Sequence, residues 1–531
     1  MRQVSLLARR AKGAVLNRES DDKLCAGMPG WPALLDASQM MSIPANPRHR
    51  PASRLHAMLL AVLLVLNACQ LDPSPTQSTP PATPDIDATK RPSSTPHSQK
   101  AEASPSPTQP TSELGVEAED LKDVVVSFWH PWEGSAEVLI SKLAADFNRT
   151  NTWSIKVQAA SQEGFDGLDE NMRAALERND PPGLVTTYVY QALGWMQGTS
   201  SGLLIKLEPY LTDPIWGFDV GEIEDFPPAF WQSDVVEGRR LGLPAGRSAQ
   251  LLYYNVTWAK ELGFESPPAT PEQFKSQACA AARANTQDDN PDNDTTGGWI
   301  ISTRYSTLLG WMEAFGGEIL TATDQGYQFN TSSVNQAFTY LRGLFDTGCA
   351  WLAEEQSSEE QFAARRGLFA AGSLTGIPLQ VKAFELAGNQ DQWTVIPFPS
   401  PRGQPAIAAY GPSFVVLRST PAQQLAAWLF VKWLTTPENQ VQLALATGYF
   451  PVRNSSMELL AEAAADQPQW IAALDLVGYA RPEPNLRSWN SVRWAVSDAG
   501  IQLFRYYFSS DQVPALTRLL QQTAADLRST K

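Results

Sequence analysis

Between residues 124 and 189, short apolar runs alternate with amphipathic stretches, and this alternation limits the possible architectures more than any other feature of the chain. VVVSFW (124–129) reads as a buried strand, 137–147 as a helix and 154–159 as an alternating strand. A helix over 168–178 follows. After the Pro181-Pro182 break, GLVTTYV (183–189) is a β-branched run with strand character. A βαβαβ order of this kind folds into a mainly parallel sheet covered by helices on both faces, with ligands approaching the carboxyl ends of the strands.

The globular portion runs from about residue 121 to about 527, roughly four hundred residues, which is more than one hydrophobic core supports. Two lobes are expected. From 254 to 403 the pattern is mostly helical, with segments at 271–284, 308–315, 334–345 and 359–369. Residues 393–397 and 409–417 return to strand character. Thr420 and Pro421 mark the start of an amphipathic helix, Pro421–Leu434, that stops before Pro437. The chain closes in about three helices, and no repeat is visible at solenoid or propeller periods.

Upstream, LLAVLLVLNAC (59–69) is an apolar stretch preceded by Arg48, Arg50 and Arg54 and ending in Ala68-Cys69. It is too short to span a bilayer comfortably, and Ala68 is the small residue a signal peptidase requires. The pattern predicts a lipoprotein signal. Residues 1–68 are then a leader, Cys69 becomes the lipidated first residue, and all that follows is extracytoplasmic. A leader this long is unusual, so the true start is expected at Met40 or Met41. Residues 69–112 are dominated by Pro, Ser and Thr, cannot build a core, and are expected to form an extended tether.

Of 41 basic and 56 acidic residues, nine and four precede Gln70, leaving 32 against 52 and a net charge of about −20. That balance argues against nucleic acid and against a basic membrane-binding patch. Two cysteines remain after lipidation, Cys279 and Cys349, and in an oxidising compartment they are expected to pair within one lobe. Three of the four histidines lie in the leader or tether. Only His130 is left in the domain, so a histidine-based triad or multi-histidine metal site has little to draw on.

Several segments, in order, resemble one family. They are GLLIKL (202–207), LGLP (241–244) with LYYN (252–255), Leu262-Gly263 with Pro268 and PEQF (271–274), Phe362 with GLFA (367–370), AWLFVKWL (427–434) and GYFPVR (448–453). Together they resemble the extracellular solute-binding proteins of ABC importers, in particular the carbohydrate-binding group that includes maltose-binding protein. The resemblance covers almost all of the domain. It implies a type II periplasmic-binding-protein-like α/β fold of two lobes, each a sheet flanked by helices, joined by a hinge of crossover strands. The implied layout is 113–250 for the first part of lobe 1, 251–409 for the first part of lobe 2, 410–455 for the return to lobe 1 and 456–531 for the C-terminal helices of lobe 2.

A protein of this kind closes two lobes around its solute. Sugars offer flat apolar faces and many hydroxyls, so aromatic platforms and planar polar groups are the candidate contacts. Trp129 and Trp132 stand where the first strand enters its helix, and the family places a tryptophan there. Tyr188 and Tyr190 follow the third strand, where the resemblance implies a sugar-contacting loop. Thr187 replaces a tryptophan of maltose-binding protein, which argues against maltodextrin. In lobe 2 the resemblance puts Tyr305 near a pyranose-stacking position, with Trp311 a further candidate. Trp489 matches a stacking aromatic near the C-terminus, and Asn490 replaces its aromatic neighbour, offering a hydrogen bond instead. Tyr410 is placed either in the cleft or in the hinge.

Arg247 and Arg304 could orient an acidic solute, although a salt bridge to an acidic neighbour is the simpler role for each. Asp288 to Asp294 is acidic like a calcium loop but lacks the closing bidentate glutamate, and a solvated turn is expected. The expected activity is therefore capture of a carbohydrate and its delivery to ABC permease subunits, by a lipid-anchored monomer without cofactor, metal or covalent chemistry. The alternatives are a secreted lipoprotein glycoside hydrolase using two carboxylates, or the ligand-binding module of a sensor.

Overall fold

A computed structural model describes residues 111–196, 202–321, 326–353 and 357–529. The leader, Cys69 and the tether up to residue 110 lie outside the described residues. Among the described residues, no helix is long and apolar enough to cross a membrane.

The first sheet is built as the alternation requires. Val125–His130 pairs in parallel with Lys156–Ser161 on one side and with Leu184–Thr187 on the other. Ser413–Val416 then adds antiparallel to Leu184–Thr187, and Leu243–Pro244 closes the far edge. Helix Gly134–Thr150 covers the sheet with Ile140, Leu143, Ala144 and Phe147, a spacing that puts all four on one face. Pro421–Leu434 spans the residues expected of it, because Thr420 caps its N-terminus and Gln423 bonds back to the cap.

The second sheet runs Ala480–Pro482, Ile407–Tyr410, Ser248–Asn255, Gly367–Ser373, Gly297–Ile300, Ala350–Trp351, and Trp393–Ile396 also pairs with Ser248–Asn255. Its central strand, Ser248–Asn255, is buried at all eight positions, being covered on both faces. Cys279 of helix Pro271–Gln287 and Cys349, just before Ala350–Trp351, form a disulfide in this lobe.

The lobes are joined where the chain passes from Leu243–Pro244 into Ser248–Asn255 and back from Ile407–Tyr410 into Ser413–Val416. Arg247 and Phe450 add a reciprocal backbone pair beside these crossings. Gly411 needs to be glycine: a Cβ there would lie 2.4 Å from the Gly246 carbonyl oxygen of the other crossing strand. Arg247 fastens the crossing from within. It donates to the carbonyls of Gly246 and Pro412 and pairs with Asp234 at 2.9 Å, both side chains being 2% exposed. Its charge is therefore already balanced inside the hinge.

Two elements differ from expectation. The helix expected over 359–369 stops at Ala363, and Gly367–Ser373 is a strand. Arg365 adopts a left-handed conformation (φ 56°) that ends the helix, and Gly367 packs so closely on Ile300 that a Cβ would sit 2.5 Å from its side chain. The strand expected over 409–417 is likewise two strands in two sheets, split at Gly411-Pro412. The middle of the chain, read as mostly helical, also supplies Gly297–Ile300 and Ala350–Trp351 to the second sheet.

Candidate functional site

Leu184–Thr187 ends at Tyr188, the residue that starts helix Val189–Trp195. The backbone turn lifts Tyr188 and Tyr190 to the edge of lobe 1, where their rings stack with centroids 5.2 Å apart. Phe165 backs Tyr188 at 4.9 Å. Facing them from lobe 2 are Tyr305, at the start of helix Tyr305–Ala314, and the helix Trp489–Leu503. Tyr410, Tyr449 and Glu483 come from the hinge side and lie within electrostatic reach of this group.

Trp489 and Arg493 are four residues apart and share a helix face. The Arg493 guanidinium crosses the cleft and donates to the Tyr190 hydroxyl at 2.5 Å. It lies 5.0 Å from the Tyr190 ring, 5.7 Å from Tyr305 and 5.1 Å from Trp494, so its charge is held among aromatic faces. It also makes polar contacts with Asn490 and with the Tyr305 hydroxyl, while its Nε is buried without a partner. Among the described residues, no carboxylate stands within ion-pair distance of it.

Glu483 accepts the Trp489 indole N–H at 2.9 Å. Burial pushes its carboxyl up to about 7, against the pull of that N–H and of Arg493 and Arg247. Burial also raises the hydroxyls of Tyr188 and Tyr190 well above the usual tyrosine range, so both stay neutral donors and acceptors at physiological pH. Asn485 closes the same edge by donating to the carbonyls of Ser233 and Val235. With the lobes in contact, the space lined by Tyr188, Tyr190, Arg247, Tyr410, Glu483 and Asn485 is about 20 Å³. That admits little more than a water. A solute must separate Arg493 from Tyr190 to enter.

The structure thus brings Tyr188, Tyr190, Tyr305, Tyr410 and Trp489 together. Trp489 is fully buried, its ring against Tyr305 and Tyr327. Asn490 is exposed and engaged with Arg493, and Arg304 is exposed at the rim. Three candidates lie elsewhere. Trp132 is 8% exposed in the lobe 1 core, and Trp129 packs beside a second apolar cluster of that lobe. Trp311 is a core residue of lobe 2, enclosed by Phe274, Trp299, Tyr340 and Phe398 at ring distances of 5.2 to 5.7 Å. Its helix turns it inward, one and a half turns beyond Tyr305.

Arg493, Glu483, Asn485 and Tyr449 were not singled out from sequence. The spacing of Arg493 from Trp489 was an available signal, since it puts a cation one turn from the expected stacking aromatic. The acidic turn closes on itself: Asp288 accepts from the Asn290 N–H and the Asn293 amide, both at 2.9 Å. No group of three or more potential metal ligands occurs among the described residues.

Residues 142–472 match the family model for bacterial extracellular solute-binding proteins. The chain belongs to this family. It is a binding protein and not an enzyme. The solute-binding protein is 22% identical over 360 residues to the sn-glycerol-3-phosphate-binding periplasmic protein of Salmonella typhimurium, covering 66% of this chain and 79% of that protein. The cyclic α-maltosyl-1,6-maltose binding protein of Arthrobacter globiformis superposes with a TM-score of 0.65 at 18% identity, over 77% of this chain and all of that one. UgpB of Mycobacterium tuberculosis, solved in complex with glycerophosphocholine, superposes with a TM-score of 0.56 at 19% identity, over 76% of this chain and 98% of that one. These solved structures share the two-lobed α/β fold, the type II architecture of periplasmic binding proteins.

Proposed function

We propose that this solute-binding protein captures a sugar or sugar-like polyol bearing an anionic group between its lobes and delivers it to the permease of an ABC importer. The observation that carries this reading is Arg493, a guanidinium set against Tyr190, Tyr305 and Trp494 that makes no direct ion pair among the described residues, Glu483 acting on it only from a distance. Arg493 is half-buried and has fork donors free of any carboxylate contact, so a phosphate or carboxylate on the solute could engage it bidentately. Tyr188, Tyr190, Tyr305 and Tyr410 supply ring faces and hydroxyls for the polyol, with Trp489 packed behind Tyr305. The relatives named for glycerol 3-phosphate and for maltose-type sugars support both halves of the solute.

The lobes are assigned as 113–250 with 410–455 and 251–409 with 456–531. The mature protein is a monomer held at the membrane by lipid on Cys69, with the Pro-rich segment as its tether. Calorimetric titration with glucuronate, glycerol 3-phosphate, glycerophosphodiesters and neutral sugars tests the reading. An anionic polyol is expected to bind, and to bind far more weakly to Arg493→Ala. Tight binding of a neutral sugar, unchanged in that variant, would sink the anionic part of the proposal.

A further inference from the structure

On lobe 2, behind the segment that carries Glu483 into the cleft, lies a second and larger cavity of about 590 Å³. It is lined by the end of helix Tyr305–Ala314 with Glu313, Gly316 and Gly317, by the turn Ser400 to Gln404, and by Arg481, Pro482 and Pro484. Pro484 also borders the interlobe space. The two cavities therefore adjoin at Pro484.

Its chemistry differs from that of the cleft. Among the described residues no aromatic ring lines it. It presents instead the guanidinium groups of Arg402 and Arg481, the carboxyls of Glu313 and Glu318, the amides of Gln328 and Gln404 and the hydroxyl of Ser400. Gly316, in the left-handed region at φ 83°, leaves room that the Arg402 side chain occupies, with Nη1 3.0 Å from where a Cβ would be. Glu313 Oε2 is buried without a hydrogen-bond partner. Among the described residues, neither Arg402 nor Arg481 is in an ion pair.

We propose that this lobe 2 cavity is a second binding site, for a neutral polyhydroxylated solute such as a sugar alcohol or a saccharide unit. An unpartnered buried carboxyl oxygen calls for a donor, and two guanidiniums that make no ion pair among the described residues call for acceptors. A bare anion satisfies only the arginines and a bare cation only the carboxyls. Vicinal hydroxyls satisfy both, each being donor and acceptor at once. Burial holds the Glu313 carboxyl well above the usual range, so it can also donate to a hydroxyl oxygen. The volume lies in the range of small-molecule sites, roughly 300 to 1,000 Å³.

Saturation-transfer NMR with sorbitol and with maltose, on the wild type and on three variants, tests the site. Arg402 and Arg481 are exposed, so Arg402→Ala/Arg481→Ala leaves the core untouched, and Glu313→Leu removes the unpartnered oxygen. Transfer to at least one probe is expected in the wild type and in the cleft variant Arg493→Ala. It should weaken at least tenfold in the double arginine variant and in Glu313→Leu, with melting temperature confirming that each is folded. Transfer abolished by Arg493→Ala, unchanged transfer in both pocket variants, or no transfer to either probe would overturn the proposal. These outcomes are separate from those that test the anionic solute, because the probes here are neutral.

Discussion

Arg493 and Tyr190 are hydrogen-bonded at 2.5 Å although one belongs to a C-terminal helix of lobe 2 and the other to lobe 1. The pair joins the lobes where a solute must enter, so the guanidinium that bridges the cleft becomes available once the lobes part. A solute favours closure only through contacts better made in the closed state, and Arg493 can make one. Arg493→Ala should reduce affinity for an anionic solute roughly 10- to 100-fold, the worth of a charge-assisted hydrogen bond. Arg493→Lys should recover part of it, having the charge but not the fork. Titration calorimetry of both variants reads this directly, and equal affinities in all three proteins would rule the contact out.

Glu483 adds a pH dependence to the same cleft. Its carboxyl titrates at about 7 because burial favours the neutral form. Below that pH it is protonated and tolerates an anion nearby; above it the carboxylate repels one. Affinity for glucuronate, which keeps one charge across the range, should be flat from pH 5 to 6 and should fall above pH 7, by at most tenfold per unit. Glu483→Gln should abolish that fall. A profile that keeps its slope in the variant would assign the dependence to another group.

Much of this architecture is written locally. Thr420 and Pro421 encode the start of their helix, and the β-branched run at 183–187 encodes the third strand, because cap and strand are made by neighbouring residues. The end of helix Ser358–Ala363 is not written that way. It depends on a left-handed Arg365 and on contact between Gly367 and Ile300, more than sixty positions away in the chain. The site divides on the same line. Tyr188, Tyr190, Tyr305 and Tyr410 can be picked out because they stand at strand ends or helix starts, which face the cleft in any sheet of this kind. Trp311 shows the limit: helical spacing cannot say which face is turned inward, and here it meets Phe274 and Phe398. Arg493 and Glu483 gain their meaning only when two lobes meet.

The Cys279–Cys349 disulfide closes a loop with a sequence separation of 70 residues. Loop-closure entropy puts its contribution at about 4 kcal/mol. Cys279→Ala/Cys349→Ala should lower the unfolding free energy by about that amount, and reductant should lower the wild type to the same level. Urea denaturation of both proteins, with and without reductant, checks it. If reductant destabilises the double variant equally, the bond is not the cause.

His130 ends the first strand of lobe 1 at 0% exposure, with only the Trp132 backbone beside its ring as a polar contact among the described residues. Burial lowers its pKa from 6.5 to about 4, only partly offset by the Trp132 backbone. Above pH 6.5 the folded and unfolded chains both carry neutral imidazole, and the residue adds no pH dependence. Between 6.5 and about 4 the unfolded chain takes up a proton that the folded chain refuses, so stability falls as the pH falls. The slope is about 1.4 kcal/mol per unit and the total about 3 kcal/mol. His130→Leu should lose this component, so the gap between wild type and variant in urea denaturation should shift by about 3 kcal/mol in the variant's favour from pH 7.5 to pH 4. A gap that stays constant with pH would mean that imidazole is protonated in the folded state, and would require an acceptor beside it.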